Sequence, residues 1–528
     1  MIANKHPKGA SVLAYAEVHY RPRAVPSLIF SKWPEIVCDT PPRVDPDRPI
    51  PVFIIIKDAH RYPVRLEMAV VHMKYENGSE RIARFPYGGI QIREPAWWDS
   101  INVMPEFTGM VVISLNLLVR NGKQLTQIGV DNYRGLSHSP LTVTVAEQPL
   151  PGGENWYHGD MHCHTLYTSD QVEFGAPLEA MVSGAYCMGY HWLASTDHSY
   201  DLDDSGDDYL ESDPLLGKWR FLKEQAELLS PTVTVIPGEE VTCRTSSGKN
   251  CHLLALNHER FIEGSGDSGE RGLKTDSERT VGEAVRECVE WNGIACAAHP
   301  LESIPLLERL LLGRGEWTRS DLETPELTGL QFHNGIRDRG FRDGRDAWIL
   351  FLLAGRRLVA YGGSDAHGDM NRRRRVMLPF LALGEDMFHT FGAVRTVVNA
   401  ASRERDHLIR GLREGRVVVT EGPFISLSVT GNGSAAGIGD SFTEGAGTIR
   451  ALCKSSREFG LLKSVRILGG TTGEQSERVL AAADAVPGDY EWEVEQNERF
   501  DGNGYIRAEC DTDLGKCCFT NPVWIERG

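Results

Sequence analysis

The chain has 528 residues, more than one hydrophobic core usually serves, so two to four domains are expected. Its 41% hydrophobic and 24% charged residues are ordinary for a soluble globular protein, and a net charge of -17 argues against a broad nucleic-acid or anionic-membrane surface. Eleven scattered cysteines without a C-x-x-C pair, Cys517-Cys518 being the only adjacent couple, read as reduced thiols and point to the cytoplasm.

Met1 to Ala16 carries no apolar run of signal-peptide length, and no stretch reaches the length of a membrane span. Residues 1–150 read as a β-rich, sandwich-like domain. Pro51 to Ile56, Val64 to Val71, Met110 to Leu115 and Leu141 to Val145 are short, β-branched and turn-bounded, and Asn121-Gly122 suits a hairpin turn. Trp97-Trp98 reads as core aromatics. The domain holds no cluster of ligand-type residues, so packing, homo-oligomerisation or shaping of a distant site is its expected role.

A Pro/Gly-rich linker, Gln148 to Gly153, precedes a change of pattern. Across residues 151–400 strands alternate with helices at Pro177 to Met188, Trp219 to Leu229, Thr280 to Trp291 (with a capping box, Thr280 to Glu283) and Asp346 to Ala354. Repeated strand-then-helix units imply an α/β fold with a parallel sheet, expected to close as a barrel. Glu263 to Ser277, rich in Gly and charge, is expected to form a loop over its mouth. Residues 401–528 open with a helix, His407 to Arg413, and return to β-rich patterning.

Chemistry in such barrels gathers where strands end. His162 and His164 alternate onto one face of a short strand, and Asp170 follows. Further along stand His198, Glu240, His252, His299, Asp365 and His367. Nine N/O donors exceed the needs of one ion and suggest two or three divalent ions (Zn, Mn or Fe) bridged by Glu240. Closely spaced ions lower the pKa of a shared water and stabilise charge on attacked and leaving oxygens, which is hydrolytic chemistry. His252 opens its strand rather than ending it, so that strand is expected to run the other way or the residue to enter from a rim. Asp197 reads either as an acid/base group or as a brace for its neighbours. Glu239 points opposite Glu240, Cys163 and Cys251 point away from the ligand face, and His191 and His158 stand outside the ligand set. His333 and Asn334 follow a strand and are read as pocket lining. Among the arginines after Asn334 and in Arg372 to Arg375, Arg337 and Arg372 are the candidates to clamp an anionic group; the run is otherwise a solvated loop.

The ordered series His-x-His-Thr…Ser-Asp, Thr-Asp-His, Pro-Gly-x-Glu, His-Leu-Leu, Ala-His-Pro and Gly-Ser-Asp-x-His resembles the PHP (polymerase and histidinol phosphatase) superfamily over about residues 155–395. The resemblance implies a distorted (β/α)7 barrel with a trinuclear site. His162, His164, Glu240 and Asp365 would hold one ion, Glu240, His252 and His299 a second, and Asp170, His198 and His367 a third. The flanking β domains, with Val394 to Val398 and Gly415 to Pro423, look like the carbaryl-hydrolase-like (CehA/McbA-type) branch. The expected function is a metal-dependent hydrolase of a small phosphoester, with Glu240 and Asp197 as catalytic groups. Hydrolysis of a carbamate or carboxylic ester is the alternative, and a degenerate barrel with ligand-binding β domains is the third reading.

Overall fold

The computed structural model describes residues 33–132, 138–168, 175–205, 211–266, 276–304, 306–372, 375–378, 381–384, 389–431, 433–484 and 488–527. Asp170 and the middle of the Glu263 to Ser277 stretch lie outside them, as do Arg373 and Arg374.

The apolar run that begins at Pro51 is a strand, Ile50–Lys57, buried along its whole length. Alternation explains why both faces must be apolar. Ile54 and Ile56 enter the core of the N-terminal sheets, while Phe53 and Ile55 pack with Met181, Ala185 and Leu193 of the central region. That strand pairs with Glu35–Asp39 and Ala96–Val103 in a three-stranded sheet. A six-stranded sheet built on Val64–Tyr75 and Gly109–Asn121 shares its core. Asn121-Gly122 begins the expected hairpin turn: Asn121 pairs with Gln124, and Gly122 takes φ 57°.

The central strands do not form the expected closed (β/α)7 barrel. Strand outweighs helix, and the central strands belong to one open 15-stranded sheet. Its path runs Val359–Gly363, Gly329–Asn334, Ile294–Ala298, Asn250–Leu256, Thr234–Arg244, Trp192–Ser195, Trp156–Asp160, Arg395–Asn399 and Val417–Thr420, then on into C-terminal strands. Asn250–Leu256 is antiparallel to both neighbours, so His252 enters from a strand of reversed sense. Arg395–Asn399 is antiparallel as well, and its pairing with Val417–Thr420 carries the ladder onward instead of back to the start. The end strand Val359–Gly363 still curls close to these. Side chains make that link: Thr396 Oγ1 donates to Gly362 O (2.6 Å) and Asn521 Oδ1 accepts from Ala360 N (2.7 Å).

Helices Leu178–Met188, Gly217–Leu229, Val281–Glu290, Arg339–Leu353 and Arg405–Arg413 accompany the sheet. Thr280 and Glu283 complete the expected capping box. Arg339–Leu353 starts seven residues before the sequence pattern suggests, because Asp338 caps it by accepting from Phe341 N at 3.0 Å. At the C-terminal end a four-stranded sheet built on Phe424–Thr430 and Ala446–Lys454 encloses a core of its own with Ile467 and Ile506 of the large sheet.

Beside that apolar packing, a buried charged contact ties the N-terminal unit to the centre. Asp39 accepts from Met370 N (2.8 Å), Asn371 N (3.0 Å) and Arg372 Nε (3.2 Å). Burial pushes its carboxyl up to about 6, against the pull of Arg372 and the backbone donors. Asp39→Ala removes a buried charge partner and the acceptor of the Met370 and Asn371 amides, with an expected cost of about 3 kcal/mol. A lowered urea midpoint with an unchanged slope is the check.

Candidate metal centre

The site is assembled from strand ends. His162 follows Trp156–Asp160, and His164 lies on the two-residue strand Cys163–His164, which pairs in parallel with Ala366–His367. This register sets His164 directly beside His367, their rings stacked at 4.1 Å and 4°. His198 bridges to Glu240, which lies within Thr234–Arg244. His299 and Asp365 sit just beyond Ile294–Ala298 and Val359–Gly363. Both adopt left-handed backbone, φ 28° and 54°, a conformation costing about 1–3 kcal/mol in a non-glycine residue. Gly363 lets the chain pass His162: a Cβ there would lie 2.5 Å from His162 Cβ.

Glu240 is the hub. Its Oε1 lies 2.9 Å from His252 Nδ1 and 3.1 Å from His299 Nε2. Its Oε2 lies 3.4, 3.3 and 3.2 Å from His162 Nε2, His164 Nε2 and His198 Nδ1. Asp365 Oδ1 stands 3.1 Å from His162 Nε2 and 3.4 Å from His164 Nε2. These spacings come within about 0.4 Å of the edge of a tetrahedron of N/O donors around a metal ion, about 3.3–3.6 Å for bonds of about 2.0–2.2 Å. Three overlapping groups of donor atoms converge within 4.8 Å: His162, His164, Glu240 and Asp365; His198, Glu240 and His252; and His164, His198 and His367. All these residues are buried. The donor set, imidazole and carboxylate without thiolate, fits divalent transition ions.

Electrostatics agree with a cation-seeking site. Burial works against charge on His164, yet Asp365 and Glu240 outweigh it and push that imidazole up to about 10. Burial likewise opposes ionisation of Glu240, but the surrounding histidines, His252 foremost, hold its carboxyl well below the usual range.

Outer contacts fix the rings. His162 Nδ1 meets Gln331 Oε1 at 3.3 Å, His164 Nδ1 meets Thr168 Oγ1 at 3.3 Å, and His367 Nδ1 meets Asp365 O at 3.0 Å. Asn334 Nδ2 donates to Asp365 Oδ2 at 3.0 Å. His252 is held differently. Arg314 Nη2 lies 3.0 Å from its Nε2 and can only donate, so the His252 proton resides on Nδ1, toward Glu240. Ligation through Nδ1 requires that proton and the Arg314 contact to give way.

The eight expected metal donors that lie among the described residues therefore meet; Asp170, the ninth, lies outside them. Asp197 is adjacent but committed: its Oδ1 accepts from Thr165 N (2.7 Å) and Thr168 N (3.1 Å), and its Oδ2 from Ser195 Oγ (2.8 Å). It braces the loop carrying Thr168. Glu239 turns away, accepting from Ile262 N and facing His258, and His191 accepts from His158 N. The cysteines are free and buried, with Cys163 donating to Ala194 O.

Three of the four expected substrate-binding residues are elsewhere. Arg372 is buried against Asp39 and Asp369 Oδ1 (2.5 Å), where leaving a guanidinium unpaired is costly. Arg337 pairs with Glu421 and Asp511. His333 faces Glu421 and Phe341, because a β-bulge between Gln331 and His333 shifts the alternation so that Gln331 and Asn334 share the metal side. Asn334 does line a small cavity of about 10 Å³, together with His299, Glu302, Asp338 and Phe341. Residues unforeseen from sequence are Glu302 (3.4 Å from His299 Nδ1), His389 (4.0 Å from Asp365 Oδ2), Gln331, Thr168 and Arg314. Only Glu302, three residues after His299, has a sequence position that flags it.

No family model matches this chain, and no curated protein matches it. Among solved structures it is similar to a calcium-binding mutant of Bacteroides uniformis beta-glucuronidase 2, at 10% identity and TM-score 0.19, with 94% of this chain and 61% of that chain covered. It is also similar to alpha-2-macroglobulin from Escherichia coli (9% identity, TM-score 0.16, 98% and 25% covered) and to a putative beta-galactosidase from Bacteroides fragilis (8%, 0.18, 94% and 74%). The chain thus spans under two thirds of the first and about a quarter of the second. Likenesses this slight carry no assignment. Among the described residues no helix is long and apolar enough to cross a membrane.

His162→Ala and Asp365→Ala should each lower bound metal, measured by elemental analysis, while His191→Ala leaves it unchanged. Gly363→Ala should also lower it with every donor side chain kept, by pushing His162 aside.

Proposed function

We propose that this protein is a metal-dependent hydrolase of the PHP type, acting on a small phosphoester at a site of two or three divalent ions. The observation that carries the reading is Glu240, whose two oxygens face separate sets of imidazoles, as a carboxylate shared between ions does. Ions held there supply Lewis acidity and lower the pKa of water toward neutrality, worth several kcal/mol at the transition state.

The chain's own residues do the arranging. Gln331 and Thr168 fix the imidazoles of His162 and His164, and Asn334 fixes Asp365. Asp197, by tying down Thr165 and Thr168, acts as a positioning residue for this face. Substrate reaches the ions past His299, the most exposed of the described donors at 14% of its side chain. Glu302 and Asn334 flank it in the pocket wall, and His389 lies close by. Arg314, 3.0 Å from His252 Nε2, is the arginine on which a phosphoryl oxygen would draw.

A second reading, carbamate or carboxylic ester hydrolysis, is favoured by one observation: Arg337 and Arg372 are engaged with carboxylates away from the pocket, so the wall carries less positive charge than an anion clamp supplies. Assaying p-nitrophenyl phosphate beside a naphthyl carbamate, with added Mn or Zn, separates the two. Phosphate release is expected, with a loss of about a hundredfold or more in His162→Ala. Turnover of the carbamate alone would overturn the phosphoesterase reading.

A further inference from the structure

Outside the main cluster, three side chains of metal-ligand type meet where the central strands join the C-terminal ones. His333 is the last residue but one of the strand Gly329–Asn334, Glu421 directly follows Val417–Thr420, and Cys517 begins Cys517–Thr520. His333 Nε2 lies 3.2 Å from Glu421 Oε1 and 4.0 Å from Cys517 Sγ, and one donor atom from each falls within 4.8 Å of the others. The imidazole is wholly buried, the carboxylate 9% exposed and Cys517 7% exposed.

We propose that His333, Glu421 and Cys517 form a separate site for a single thiophilic divalent ion, zinc foremost, which staples the central sheet to the C-terminal unit. The donor set differs in kind from the main cluster. A thiolate beside imidazole and carboxylate selects zinc over the hard ions that carboxylates alone accept. Spacing fits too: tetrahedral zinc with one sulfur ligand separates its donors by about 3.3–3.6 Å, within about half an ångström of the distances seen.

The surroundings hold the donors in place and balance their charge. Glu421 Oε2 accepts from Cys517 N at 3.0 Å, leaving Oε1 for the ion. Thiolate and carboxylate offset a divalent charge, while Arg337, 3.5 Å from Glu421 Oε1, is offset by Asp511 at 3.4 Å. Phe341 closes one side, its ring 4.8 Å from that of His333. Three protein ligands leave a fourth position for water. Asn334, next along the strand, turns to the opposite face and holds Asp365. An ion on His333 therefore stiffens the strand end that positions a donor of the main centre.

Cobalt(II) titration of metal-free protein tests this, because only thiolate ligation gives a sulfur-to-cobalt charge-transfer band in the near ultraviolet. The band is expected in the wild type and in His162→Ala, in which the main centre is damaged. It should vanish in Cys517→Ser and weaken or shift in Glu421→Gln, which keeps the thiol. Zinc-loaded wild type should carry one more equivalent than Cys517→Ser. Absence of the band at saturating cobalt, or its persistence undiminished in Cys517→Ser, would overturn the proposal and leave the cluster a plain ion pair beside a thiol.

Discussion

Everything at the centre depends on burying the Glu240 carboxylate. Taking one carboxylate out of water costs several kcal/mol unless partners replace its hydration, and here a second, Asp365, lies in the same cluster. Five imidazoles surround Glu240, and they come from strand ends distributed over the whole central sheet. The sheet must therefore curve until those ends converge. Two of the converging residues, His299 and Asp365, accept left-handed backbone to do so. Strain of that kind persists only where surrounding contacts fix it, and Gln331 does part of this by accepting from His299 N while facing His162.

Curvature of this degree is held by side chains as much as by the backbone ladder. Thr396 and Asn521 hydrogen-bond the backbone of Val359–Gly363, the end strand, from segments that belong to the C-terminal part of the path. Gly363, pressed against His162, permits the approach. The antiparallel Asn250–Leu256 brings His252 in from the opposite strand sense, and Arg314 holds it there.

Much of the candidate metal centre was legible in the sequence because its ligand-type residues follow short motifs, and the period of a strand assigns faces to His162 and His164, or to Glu239 and Glu240. Element positions were legible for the same reason. The barrel was not. Strand-then-helix alternation describes local units, whereas closure is decided by which edge strand pairs with which, and the sequence pattern of Arg395–Asn399 carries nothing about its antiparallel partner Val417–Thr420. His333 failed for a subtler reason. Strict alternation puts it with Gln331, and a one-residue bulge moves it to the other face while bringing Asn334 round to the site. Arg372 looked available in a basic run, but its partner Asp39 lies 333 residues away in the chain.

That last pairing bears on what the flanking β units do. Asp39 binds consecutive backbone amides at Met370 and Asn371, just past His367, and Arg372 caps the arrangement from Gly368 O to Asp369. Gly368 itself takes φ 69° and runs so close to Ala176 that a Cβ would lie 2.1 Å from its nitrogen. The segment after His367 is thus clamped from the N-terminal unit on one side and by the central helix region on the other. Since His367 stacks on His164, the clamp reaches the donors through one rigid contact. On the far side, the C-terminal strands hold Val359–Gly363, whose end delivers Asp365. The two β units grip opposite flanks of one segment, Ser364 to Arg372, and so add to the hold that Asn334 has on Asp365 and that the pairing with Cys163–His164 has on His367.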